Sequence, residues 1–221
     1  MKNTADTRTV LLISDEERPD DPGLIDAGQF GLPDELYDIP NLQEIITGCG
    51  RMRVVTRHHS RIEEVEQICP DYVVLSGRFS SHPLGSNTMQ REYQAIIEWI
   101  RDSHVPVLGI CLGLQLICAA FGVSTVRLEG PGEFGFTPLK KEQDHLLLKS
   151  LPSTFRAMEL HRCGASGIPE DFDLLVSSPL CPVQMIVHRE RPIVAVQFHP
   201  ELNTPSQQAG LLLLQSFFRL Y

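Results

Sequence analysis

Cys111 is the residue in this chain best placed to do covalent chemistry. It stands in Gly109-Ile110-Cys111-Leu112-Gly113, directly after the apolar run 105–110. That run reads as a buried parallel strand. Beyond it, Leu112, Leu116 and Ile117 recur at helical spacing until Gly122, a helix C-cap signal. Strand, sharp turn, helix is the context of a nucleophile elbow, here with Cys in the place of Ser. Small residues on either side let the backbone turn tightly around the nucleophile. At a helix N-terminus, free N–H groups and the helix dipole favour a thiolate. The N–H of Leu112 would point where an oxyanion forms in acyl transfer. From the elbow alone, a buried Cys packed as a small hydrophobe is an equally good reading.

A thiol nucleophile needs a base, and the second half of the chain offers one. The apolar run 193–198 ends in His199-Pro200-Glu201. His199 falls just past a strand's carboxyl end, the edge where open α/β sheets place their sites. Glu201, two residues on, can accept a proton from the imidazole and fix its tautomer. Cys, His and acid in this order are compatible with two strands of one sheet.

At these residues the chain resembles the class I, triad-type glutamine amidotransferase family, through Gly109-Ile110-Cys111-Leu112-Gly113-Leu114-Gln115 and Val196-Gln197-Phe198-His199-Pro200-Glu201. The resemblance implies hydrolysis of the glutamine side-chain amide, with ammonia passed to a synthase and no metal or organic cofactor. Cys111, His199 and Glu201 would be catalytic, and Leu112 and Gly77 would supply the oxyanion N–H groups. Gln115 would help hold the substrate. Ser76-Gly77 matches the start of the family's Gly-Gly-Pro-like segment, but Arg78-Phe79 departs from it. Arg78 could hold the substrate carboxylate, close the site or face solvent. Glu133-Phe134-Gly135 resembles a Glu-Tyr-Gly turn that leads into a strand at 136–140 and bounds the glutamine pocket. His161 is a candidate for the rim of that pocket. Residues 169–173 through His-Pro-Glu most resemble the glutaminase domains of guanosine monophosphate synthase. The chain ends soon after that motif, so the synthase is expected on a separate polypeptide. The alternatives are a free-standing γ-glutamyl hydrolase with the same triad, or a non-catalytic regulatory homologue.

The elements around these motifs must form an α/β sheet. Apolar runs at 9–14, 52–56 and 71–77 alternate with helical patterns at 42–46, 61–68 and 89–101. Later runs at 124–128, 157–161, 173–178 and 184–188 read as strands, and 206–220 as a C-terminal helix. The expected fold is an open, mostly parallel, flavodoxin-like or Rossmann-like sheet flanked by helices, with a small antiparallel extension. It would form one domain over 1–221. Residues 15–38 carry nine acids and one Arg, with three Pro, and read as an acidic lid or insertion spanning about 15–40. They hold most of the net charge of −9, which argues against nucleic-acid binding. No apolar run reaches the length of a membrane span, and the N-terminus lacks a signal-peptide core. Six Cys without paired spacing suit a reducing cytoplasm better than a disulfide framework or a metal site. His58-His59 is set aside as a metal site because neighbours on an extended chain point apart.

Overall fold

The computed structural model describes residues 7–14, 39–78 and 91–221. The acidic segment 15–38, Phe79 and the polar loop 80–88 lie outside the described residues. Among the described residues the main sheet has nine strands. Its parallel half comprises β1 (Arg8–Ser14), β2 (Met52–His58), β3 (Tyr72–Leu75), β4 (Val107–Ile110) and β11 (Ile193–Val196). The antiparallel half comprises β6 (Glu133–Lys141), β7 (Thr154–His161), β9 (Phe172–Ser177) and β10 (Met185–His188). The strand order is β2-β1-β3-β4-β11-β10-β9-β6-β7. Two short strands, β5 (Thr125–Arg127) and β8 (Cys163–Ala165), pair apart from it.

The parallel strands are apolar at almost every position because both faces are covered. Val10, Leu12, Val74, Ile110, Val194 and Val196 face one core, under α1 (Ile39–Gly48) and α5 (Ala209–Leu220). Their neighbours Leu11, Ile13, Val73, Leu75, Ile193 and Ala195 face the other, under α3 (Gln94–Asp102) and α4 (Leu112–Ala120). The period of two thus sorts each strand between two cores. Arg191, just before β11, donates to the carbonyls of Ile100, Arg101 and Ser103 at the C-terminus of α3. This satisfies orphan helix carbonyls and fixes where β11 enters the sheet.

Three local readings differ from expectation. Residues 59–64 form a 3₁₀ turn, with α2 confined to Val65–Ile68, because the His58 ring accepts from the Ser60 N–H and Arg61 leaves helical geometry. The same break brings the His58 and His59 rings to 4.1 Å instead of pointing them apart, and His59 then lies on Tyr93. Glu133-Phe134-Gly135 is not a turn before a strand but the start of β6, with Gly135 at φ +86° opposite Glu159. All six cysteines are free thiols. Among the described residues no helix is long and apolar enough to cross a membrane.

Candidate active site

The site is assembled where three neighbouring strands end. In β3-β4-β11 the register sets Leu75 beside Gly109 and Val196 beside Ile110. Residues just beyond these positions, Gly77, Cys111 and His199, therefore arrive at one edge of the sheet. A Cβ placed on Gly77 would lie 2.7 Å from His199 Cε1 and 3.3 Å from Cys111 Cβ. Gly77 is in effect the floor on which the sulfur-bearing residue and the imidazole meet.

The elbow is tight. Cys111 has φ 51° and ψ −100°, a positive-φ conformation that is strained for a residue with a side chain. It is held there by its N–H to the Val196 carbonyl at 2.8 Å, and by its own carbonyl, which accepts from Leu114 and Gln115. Gly113 makes the approach possible: a Cβ there would lie 2.6 Å from the Leu75 carbonyl oxygen. Leu112 opens α4, so its N–H sits at the helix N-terminus beside the sulfur.

His199 is anchored through its backbone and through its ring. Its backbone N–H donates to the Met158 carbonyl at 2.8 Å, an isolated bridge between the His-Pro-Glu turn and β7. Its Nδ1 lies 2.7 Å from Glu201 Oε1, so Nδ1–H donates to the carboxylate. Burial pushes the imidazole pKa down. The Glu201 carboxylate and the Cys111 sulfur overcome this and hold it well above the ordinary histidine value. Asn203 ties the turn to the C-terminal helix: its amide donates to the carbonyls of Pro200 and Glu201, and its oxygen accepts from the Leu211 N–H. Gly210 lets α5 press on the turn, since a Cβ there would fall 2.5 Å from Pro200 Cα.

A buried polar chain runs back from the sulfur. Gln197 Nε2 donates to Cys111 Sγ at 3.4 Å, and Gln197 Oε1 accepts from Gln115 Nε2 at 3.3 Å. Gln115 also donates to the Cys163 carbonyl, which accepts from His161 Nδ1 at 3.0 Å as well. His161 Nε2 then stands 3.2 Å from Glu133 Oε2 and 2.9 Å from Glu159 Oε2. Glu133 is fixed in turn by Ser178 Oγ at 2.6 Å and Gln184 Nε2 at 2.8 Å. Burial lowers the pKa of His161, but the two carboxylates outweigh it and raise the value to about 10. Burial pushes the Glu159 carboxyl up to about 7.

The sequence candidates thus divide. Cys111, Leu112, Gly77, His199 and Glu201 come together at the strand ends. Gln115, His161 and Glu133 form the buried tier behind Cys111. Phe134 lies under the Arg162 guanidinium, 5.3 Å from ring centroid to Cζ. Arg78 reaches Tyr93 Oη at 3.0 Å and Glu92 at 3.3 Å, which ties the loop after β3 to the α3 side of the sheet. Sequence reasoning gave no role to Gln197, Glu159 or Asn203. The first two had a signal, since each is a polar residue inside an apolar strand run.

The glutamine amidotransferase class-I family model matches residues 41–219. A glutamine-hydrolyzing GMP synthase subunit of Thermoplasma acidophilum is 41% identical over 106 residues, which cover 48% of this chain and 52% of that protein. The like-named subunit of Pyrococcus furiosus is 33% identical over 151 residues, 68% of this chain and 77% of that protein. This chain therefore spans about half of the first relative and about three quarters of the second. A glutamine amidotransferase structure from Thermotoga maritima superposes with a TM-score of 0.72 at 18% identity, covering 97% of this chain and 98% of that one, which speaks to the fold. With a family model spanning most of its length, the chain belongs to the class-I glutamine amidotransferases.

Proposed function

We propose that this chain is a glutaminase that hydrolyses the side-chain amide of glutamine and passes the ammonia to a separate synthase. The observation that carries the proposal is the meeting of Cys111 and His199 over Gly77, with Glu201 2.7 Å behind the imidazole. In this reading the Cys111 sulfur attacks the δ-carbonyl carbon as a thiolate paired with the His199 imidazolium. The N–H groups of Leu112 and Gly77 stabilise the tetrahedral oxyanion, each worth about 10²–10³ in rate. The C–N bond then breaks, and the proton on His199 goes to the leaving nitrogen, giving ammonia and a γ-glutamyl thioester. Water, deprotonated by His199, attacks the thioester. Glutamate leaves and the thiol is restored. Glu201 keeps Nδ1 as the donor throughout, so that Nε2 does the proton transfer.

The relatives named as GMP synthase subunits support a partner that consumes ammonia, because a protein named as a subunit completes its reaction with another chain. The test is ammonia release from glutamine, with and without a candidate synthase, for the native chain and Cys111→Ala. The expected result is turnover that depends on Cys111 and rises when the synthase is present. Retained turnover in Cys111→Ala would overturn the mechanism. Turnover of γ-glutamyl amines in preference to glutamine, unaffected by any synthase, would overturn the delivery of ammonia.

A further inference from the structure

The buried tier behind Cys111 gathers carboxylate, imidazole and thiol groups in one place. Glu133, His161 and Cys181 each offer one ligand atom, all within 4.8 Å of one another, and all three residues are buried. They come from three elements: β6, the end of β7, and the turn between β9 and β10. Glu159 stands beside this group, against His161, and would supply a fourth donor by turning toward Glu133 and Cys181. It is fully buried, and its Oε2 lies 2.9 Å from His161 Nε2. In the metal-free protein the His161 imidazolium answers this buried carboxylate, and a bound ion would take over that role.

The surrounding groups are those that orient metal ligands. The Cys163 carbonyl can only accept, so His161 Nδ1 carries the hydrogen of that 3.0 Å contact, and Nε2 is the atom turned to the carboxylates. An imidazole whose other nitrogen donates to a backbone carbonyl is the usual form of a metal-ligating His. Ser178 and Gln184 hold the Glu133 carboxylate in the same supporting way. Gly164 leaves room for the Cys181 sulfur, since a Cβ there would lie 2.9 Å from Sγ. Ligands about 2.0–2.1 Å from a tetrahedral ion stand about 3.3 Å apart. The 3.2 Å and 2.9 Å separations around Nε2 come near this, and the sulfur has to close in by less than about 1.5 Å.

We propose that Glu133, Glu159, His161 and Cys181 form a closed structural site for one divalent transition-metal ion of the zinc class. One thiolate, one imidazole and two carboxylates suit Zn²⁺ or Co²⁺ better than Mg²⁺ or Ca²⁺. Four protein donors complete a tetrahedral shell and leave no position for a reacting water. The ion would join β6, β7 and the 178–181 turn behind Gln115 and Gln197. On binding, the ion takes the place of the Cys181 thiol proton and of the proton on His161 Nε2, and both pass to solvent. The proposal does not depend on glutamine being the substrate.

The test starts from the full chain stripped with a chelator and titrated with Co²⁺, then with Zn²⁺ by calorimetry. The expected result is one ion per chain, a sulfur-to-cobalt charge-transfer band with tetrahedral ligand-field bands, and proton release in weak buffer. Glu159→Gln, which preserves size, and Cys181→Ser should each weaken binding at least about 10-fold, with the charge-transfer band lost in Cys181→Ser. Cys111→Ser should bind as the native chain does. Binding below about a tenth of an ion per chain would overturn the site. So would binding lost in Cys111→Ser and kept in Cys181→Ser, which would place the ion on the Cys111–His199 pair.

Discussion

Adding one methyl group to Gly77 should cripple the site without removing any functional atom. The N–H of residue 77 survives in Gly77→Ala, so any loss is steric. The new Cβ would lie 2.7 Å from His199 Cε1, whereas carbon atoms in contact sit about 3.5–4.0 Å apart. The imidazole or the loop must therefore retreat by about 1 Å. His199 has little room for this, being only 1% exposed and held by Met158 and Glu201. A misplacement of about 1 Å can cost 10²-fold in rate, equivalent to about 2.7 kcal/mol in the barrier. Overpacking of this kind also costs about 1–3 kcal/mol of stability, or a melting point lower by about 2–12 °C at this chain length. The assay is steady-state glutaminase kinetics at a temperature where circular dichroism shows the variant folded, with the rate of Cys111 alkylation as a second readout. The expectation is a kcat reduced about 10²-fold, with an altered alkylation rate. Gly48→Ala is the control, because a Cβ there meets nothing within 4 Å. A folded Gly77→Ala protein with native kcat would show that the ends of β3, β4 and β11 do not converge as described.

Glu201→Gln removes a charge that raises the His199 pKa, so the imidazole should lose its proton at lower pH. Its NMR titration and the corresponding limb of the kcat/KM profile should both move to the acid side, and an unmoved titration would refute the pairing. Cys111→Gly and Cys111→Ala should both be inactive, but at φ 51° the glycine variant should be the more stable by about 1 kcal/mol through relief of backbone strain. That is a melting point higher by about 2–4 °C, and equal melting points would remove strain from the account of the elbow. Gln197→Leu takes the donor from Cys111 Sγ and the acceptor from Gln115. It should cost about 1–3 kcal/mol of stability and lower kcat more than it raises KM. A KM effect alone would place Gln197 in substrate binding instead.

The parallel half of the fold was legible because its strands are apolar with little interruption. Val10-Leu11-Leu12-Ile13 sends alternate residues into two cores, and only a sheet covered on both faces does that. Cys111 and His199 stood out because each closely follows such a run, at the edge where open α/β sheets place their sites. The antiparallel half was harder to read. Gly135 looked like the end of a turn, yet β6 continues through it because Glu133 and Phe134 pair with His161 and Leu160 across the sheet. That pairing is a property of register, and register is invisible in a local window. His58 and His59 failed as an extended pair for a related reason: a side chain capping Ser60 bent the chain where hydropathy predicted nothing.

The same distinction explains why the tier behind Cys111 was only half seen. Gln115, Glu133 and His161 were picked out as substrate contacts, one motif at a time. In the structure Gln115 and His161 share one acceptor, the Cys163 carbonyl, and Glu133 and Glu159 share one imidazole nitrogen. Polar groups buried this deeply are tolerable only as a connected set, since each unmet partner costs about 1–3 kcal/mol. Gln197 is the member that joins the set to the sulfur. An elbow strained at φ 51° stays put because Val196 takes its N–H and Leu114 and Gln115 take its carbonyl. Gln115 therefore serves twice, its backbone holding the strained residue and its side chain holding the amide beneath it. A substitution in the tier should consequently reach Cys111 through Gln115 and Gln197, even though it touches neither the sulfur nor His199.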